Sequence, residues 1–221
     1  MTHFMDDLNK RFANIEADIE EIKRVEPEDV PLNNELKHNH SGGDSVKIKM
    51  QNLTGRVEKY AVISAATFKL GATAPTIAVE GTFSVLQFSN TRTESAYVNW
   101  HIPKDWKIGT DIKIAYYWAP TSTGAGGVAW EFDWEAVAAN ADEVLGAGST
   151  HVDVHDVTEE VDNELLETGY GVIAGESITT DDTLGICILR DHDDGDDTYA
   201  APAALVHIEI EYVSDKIGQK I

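Results

Sequence analysis

Four segments of this chain alternate apolar and polar residues with a period of two. Ile112, Ile114, Tyr116 and Trp118 mark the first, and Val128, Trp130, Phe132 and Trp134 the second. Leu184, Ile186, Ile188 and Arg190 form the third. Val206, Ile208, Ile210 and Tyr212 form the fourth, with His207, Glu209 and Glu211 on the opposite face. Successive side chains of a strand point to opposite faces, so this period builds half-buried strands and cannot stripe a helix. Val57 to Ser64, Thr76 to Ser89 and Ala96 to Ile102 are rich in β-branched and aromatic residues and read as further strands. About eight strands with Gly-rich turns between them, such as Gly124 to Gly127, predict an all-β, two-sheet β-sandwich over residues 57–221. Short helical turns are predicted at Trp134 to Asn140 and at Val157 to Leu166, where Thr158 offers a cap. There is no βαβ alternation, which argues against a doubly wound fold.

Residues 1–26 follow a different period. Met1, Met5, Leu8, Phe12, Ile15, Ile19 and Ile22 are spaced alternately by four and three, with charged residues between. This is the seam of a short α-helical coiled coil. Isoleucine at both seam positions favours three or four strands over two, so a homotrimer is expected. Glu26 interrupts the seam, and Pro27 and Pro31 stop the helix. The other reading is one helix docked on its own domain or on another protein.

Residues 27–56 read as an extended linker. It contains His38-Asn-His40-Ser-Gly-Gly-Asp44-Ser45. The His-x-His spacing puts both imidazoles on one side of an extended segment. One chain supplies two ligands. Three chains around an axis supply six, enough for an octahedral transition metal. A coiled coil, an H-x-H-x-G-x-D-S stretch and a β domain together resemble trimeric fibre, spike and baseplate proteins of tailed viruses. That resemblance implies an iron or zinc ion on the three-fold axis, held by His38 and His40. A Gly-rich turn with hydrogen-bonded histidines is the metal-free alternative.

The β half carries a second resemblance. Val98-Asn-Trp-His-Ile-Pro-Lys-Asp-Trp106, Gly109, the strand to Trp118, Gly126-Gly127-Val-x-Trp130, Arg190 to Tyr199 and Ile210-Glu-Tyr212 are similar to a jelly-roll-like module of tailed-virus virion proteins. The resemblance spans residues 57–214. It implies a structural or adsorption role on the particle surface, with no chemistry of its own.

The charge narrows the partners. The 221 residues include 39 acidic and 17 basic side chains, a formal charge of −22. Nucleic-acid binding needs a continuous basic surface, so it is not expected. Anionic leaflets would repel the chain. No apolar run is long enough for a membrane span, and no secretory signal is read at the start. A single cysteine, Cys187, excludes an intrachain disulfide and a Cys-cluster zinc site. Acidity spread along the whole chain suits a salt-rich milieu, with an ordinary acidic cytosolic protein and a sink for cations as the alternatives.

Chemical motifs are sparse. Asp191, Asp193, Asp194, Asp196 and Asp197 surround Gly195, and hard oxygens at this spacing suit Ca2+, although the EF-hand pattern is not met. His151, Asp153 and His155 share one strand face and are metal-ligand types, or simply a solvated acidic face. Glu94, Glu131, Asp133 and Glu135 invite comparison with paired glycosidase carboxylates, yet the last three alternate as the outer face of a strand. No nucleophile elbow or phosphate loop occurs. Cys187 lies between Ile186 and Ile188 and reads as buried and inert.

No enzyme is expected. The expected function is that of a trimeric fibre, spike or turret-type virion protein. It would contact other virion proteins through its N-terminal segment and a host-surface glycan or protein through its β domain. The alternatives are a lectin-like carbohydrate-binding sandwich, with Trp100, Trp106 and Tyr199 as candidate stacking residues, and a capsid decoration protein without a receptor role.

Overall fold

The computed structural model describes residues 57–139 and 141–214. The expected coiled-coil seam at Met5, Leu8, Phe12, Ile15, Ile19 and Ile22, and the pair His38 and His40, lie outside the described residues.

Among the described residues, twelve strands form two antiparallel sheets. In chain order they are β1 (Val57–Ser64), β2 (Lys69–Leu70), β3 (Thr76–Glu80), β4 (Phe83–Phe88), β5 (Glu94–His101) and β6 (Ile112–Pro120). β7 (Gly127–Val137), β8 (Thr150–Val157), β9 (Leu166–Glu167), β10 (Gly171–Ile173), β11 (Thr183–Arg190) and β12 (Ala203–Ser214) complete the set. One sheet runs β10-β6-β12-β4-β3, with β1 added on β12 and β9 on β6. The other runs β2-β5-β11-β7-β8. The predicted all-β sandwich is therefore present. No helix among the described residues is long and apolar enough to cross a membrane.

The period-two residues form the layer between the sheets. Ile112, Ile114, Tyr116 and Trp118 face Val128, Trp130, Phe132, Leu184, Ile186 and Ile188 across one core, and all are buried. Trp130 is its hub. It stacks on Tyr116 at 5.1 Å and takes Phe88 edge-on at 5.2 Å. Such offset and edge contacts suit the ring quadrupoles, and removing the central ring would leave a cavity costing about 3–5 kcal/mol.

Four details depart from the sequence reading. Thr76 to Ser89 is a hairpin, broken at Gly81, whose φ of +60° fits a two-residue loop. β7 continues through Trp134 to Val137 in place of the predicted helical turn, because this stretch is laddered to β11 and its Trp134 also pairs with Thr150 of β8. The segment after β8 forms no helix, and Glu160 and Asn163 adopt φ of 60° and 59° there, incompatible with an α-helix. The register against β6 shifts between Leu205 and His207. This bulge moves Val206 out of the inward row, which becomes Ala203, Leu205, Ile208, Ile210 and Tyr212.

Candidate functional site on the five-stranded sheet

The second face of the period-two strands carries the chemistry. Cross-strand pairing of β5, β11, β7 and β8 lines outward residues into rows. One row reads Tyr97, Cys187, Asp133, His151. The row on one side reads Asn99, Gly185, Glu135, and the row on the other side reads Ser95, Leu189, Glu131, Asp153.

An open trough of about 370 Å³ lies over the first two rows, lined by Tyr97, Asn99, Asp133, Glu135, Gly185 and Cys187. Gly185 makes its floor. A Cβ there would come within 3.5 Å of the Glu135 side chain and 4.0 Å of the Asn99 carboxamide, so the missing side chain is the depth of the trough. Tyr97 is 46% exposed beside it. The loop carrying Gly146, Gly148 and Ser149 forms one wall. Glu135 anchors that wall by accepting the Gly146 N–H on both carboxylate oxygens, at 2.9 and 3.0 Å.

Beside the trough, His151 is held among carboxylates. Its Nδ1–H donates to Asp133 at 2.9 Å, and its Nε2 lies 3.0 Å from Asp153 and 3.6 Å from Glu131. The hydrogen bond to Asp133 holds the imidazole pKa above its usual value, with Asp153 adding to it. Glu131 is only 6% exposed. Burial pushes its carboxyl up to about 7, against the pull of the neighbouring His151.

The remaining candidates are placed as follows. Four of the five aspartates considered for Ca2+ fall into two groups, Asp194 and Asp196 with His155, and Asp191 and Asp193 with His192. Their loop is pinned at its end, where Asp197 is buried against Arg190. Glu94 stands in register with Arg190 and Trp130, on the core side of the sheet, and accepts from Ser89 N–H and Arg92. It cannot pair with Glu131, Asp133 or Glu135, which occupy the outer face. Trp106 and Tyr199 are 2% and 1% exposed, and Trp100 packs on Tyr212 at 5.9 Å. Burial removes the first two as stacking platforms for a sugar. Cys187 is half-buried on the trough side, because its neighbours Ile186 and Ile188 take the core side. Tyr97 was legible only as a strand residue. Its exposure follows from which face its row occupies.

No family model matches this chain, and neither does any curated protein. Solved structures similar to this chain include the CBM35 of Cellvibrio japonicus Abf62, at 9% identity and a TM-score of 0.42, covering 69% of this chain and 92% of that one. A cycloisomaltooligosaccharide glucanotransferase from Paenibacillus sp. matches at 10% identity and a TM-score of 0.42 over 72% of this chain, which spans only 18% of the enzyme's length. A mannan-recognising carbohydrate-binding module, TmCBM27, matches at 10% identity and a TM-score of 0.35, covering 72% and 98%.

Proposed function

We propose that the sandwich is a glycan-binding module whose binding surface is the trough on the five-stranded sheet. The observation that carries this reading is the pairing of one exposed ring, Tyr97, with planar polar groups, Asn99, Asp133 and Glu135, around a floor that Gly185 leaves open. A pyranose presents an apolar C–H face and a rim of hydroxyls. An aromatic ring beside carboxylate and carboxamide acceptors complements both. A single shallow site of this size binds weakly.

Weak sites act strongly when displayed together. The heptad seam of residues 1–26 would gather several copies on one axis and raise the effective concentration of each head. In this reading the chain is a trimeric attachment protein of a virus particle, anchored by its N-terminal segment and presenting the sandwich to a host-surface glycan.

A glycan array followed by tryptophan-fluorescence titration tests the binding role, since Trp134 borders the trough. The expected result is saturable binding of one glycan class by the full chain, reduced at least about tenfold in Tyr97→Ala with an unchanged melting temperature. Binding that survives Tyr97→Ala undiminished would remove the trough as the site. No glycan binding at any avidity would remove the function.

A further inference from the structure

We infer that Glu131, His151 and Asp153 form a binding site for a divalent transition cation of the zinc class, with Asp133 as the positioning residue that orients the imidazole. This site rests on the β7–β8 pairing and is independent of whether the trough takes a glycan.

The argument begins with register. Glu131 pairs with Asp153, and Asp133 pairs with His151, so adjacent rows of one two-stranded ribbon bring these side chains together. His151 lies two residues before Asp153 on β8, so both project from the same face. The result is a set of ligand atoms, one nitrogen and two carboxylate oxygens, all within 4.8 Å of one another.

The geometry then matches a metal centre. Four-coordinate zinc with nitrogen and oxygen ligands at about 2.0–2.2 Å requires ligand atoms roughly 3.3–3.5 Å apart. The His151 Nε2 separations from Asp153 and Glu131, 3.0 and 3.6 Å, bracket that range. Metal-bound histidine typically donates its other ring N–H to a carboxylate, which sets the tautomer and aims the free nitrogen. Asp133 accepts the Nδ1–H of His151 at 2.9 Å in that role. Three protein ligands leave the fourth position to water.

The burial of Glu131 is a separate observation in favour of a cation ligand. The Glu131 side chain is only 8% exposed, and among the described residues its carboxylate accepts no hydrogen bond. Its one charged partner is His151, at 3.6 Å. Buried carboxylates are ordinarily paired and fully hydrogen-bonded. The Glu131 carboxylate lies within the cluster, with the His151 Nε2 as its charged partner. A divalent ion would coordinate it, replacing the Nε2 proton of His151 and any proton held by Glu131, both of which leave to water.

The test uses zinc alone, with the full chain, in excess magnesium and high salt to occupy the diffuse acidic surface. Every protein carries His38→Ala and His40→Ala so that the N-terminal imidazoles contribute nothing. Calorimetry, and metal analysis after dialysis, should find a single zinc per chain. His151→Ala and Asp153→Asn should lose it or weaken it at least about tenfold, and Asp153 is exposed enough that its change leaves the fold intact by circular dichroism. Asp133→Asn should keep the stoichiometry and weaken affinity about 10–100-fold, as loss of an orienting carboxylate does. His155→Ala should change nothing. The inference is overturned if zinc fails to bind saturably, which would make the cluster a histidine–carboxylate ion pair only. It is equally overturned if Asp153→Asn or His151→Ala binds as tightly as the parent.

Discussion

Arg190 and Asp197 meet as a two-pronged ion pair inside the sandwich, with Nε and Nη2 each 2.7 Å from a carboxylate oxygen. Their side chains are 0% and 2% exposed. Arg190 also donates to the carbonyls of Tyr199 and Ala201, at 2.7 and 2.8 Å, and Asp197 accepts the Ala129 N–H at 3.1 Å. The pair therefore ties the end of the acidic loop to β7 and to the chain entering β12. Removing one member strands a buried charge. Asp197→Ala should cost about 3–5 kcal/mol by urea unfolding, whereas the apolar double change Arg190→Met/Asp197→Leu should cost clearly less than the two single changes summed. Equal additivity would show the pair is not coupled.

Stability should fall as pH rises through neutrality. Glu131 is raised to about 7 from an ordinary value of 4.5, so the folded chain holds a proton that the unfolded chain releases. That contribution is complete below about 4.5 and is lost as pH passes 7. His151, also raised, works in the same direction above its ordinary 6.5. Unfolding free energies at mildly acidic and mildly alkaline pH should differ by roughly 2–3 kcal/mol from Glu131, and Glu131→Gln should flatten most of that slope. An unchanged slope in the variant would place the titration elsewhere.

The trough should close when its floor is filled. Gly185→Gln would project a side chain between Asn99 and Glu135, where a Cβ already reaches ordinary contact distance. Glycan binding should be abolished, and because the position faces outward the cost in stability should stay within about 1–1.5 kcal/mol. Titration of the variant beside its thermal melt separates the two effects.

Cys187 offers an internal probe of the same surface. Burial pushes its thiol above the ordinary range, so thiolate is scarce near neutral pH. Labelling by a small disulfide reagent should be slow, should quicken with pH, and should slow further when a glycan fills the trough that Cys187 lines. Protection absent at saturating glycan would place the ligand on another face.

The assembled chain should respond to salt. With a formal charge of −22 per copy, copies gathered on one axis repel each other, and screening shortens that repulsion to within about 10 Å at 0.1 M salt. Light scattering should find an oligomer that loosens on dilution of salt. A monomer under all conditions would remove the multivalent part of the proposed function, and an oligomer equally firm at all ionic strengths would remove the salt-adapted reading.

The period-two rows at 112–118, 128–134 and 184–190 were sufficient to specify an all-β sandwich and its inner faces, because alternation is a local property of each strand. The same rule placed Glu131, Asp133 and Glu135 outside. It was silent on what stands beside them. Tyr97, Gly185 and Glu135 meet through the pairing of β5, β11 and β7, and Glu131 meets His151 and Asp153 through that of β7 and β8. Those partners are set by how distant strands align, and a slip of one residue would turn every one of these side chains to the other face. The bulge at Leu205/His207 shows how one local irregularity breaks a sequence alternation that looks unbroken. Sequence alone thus decided class, charge and the inward rows. Which polar residues share a site, and how deeply Glu131 is buried, follow from the pairing of the strands, because burial and proximity are sums over strands far apart in the chain.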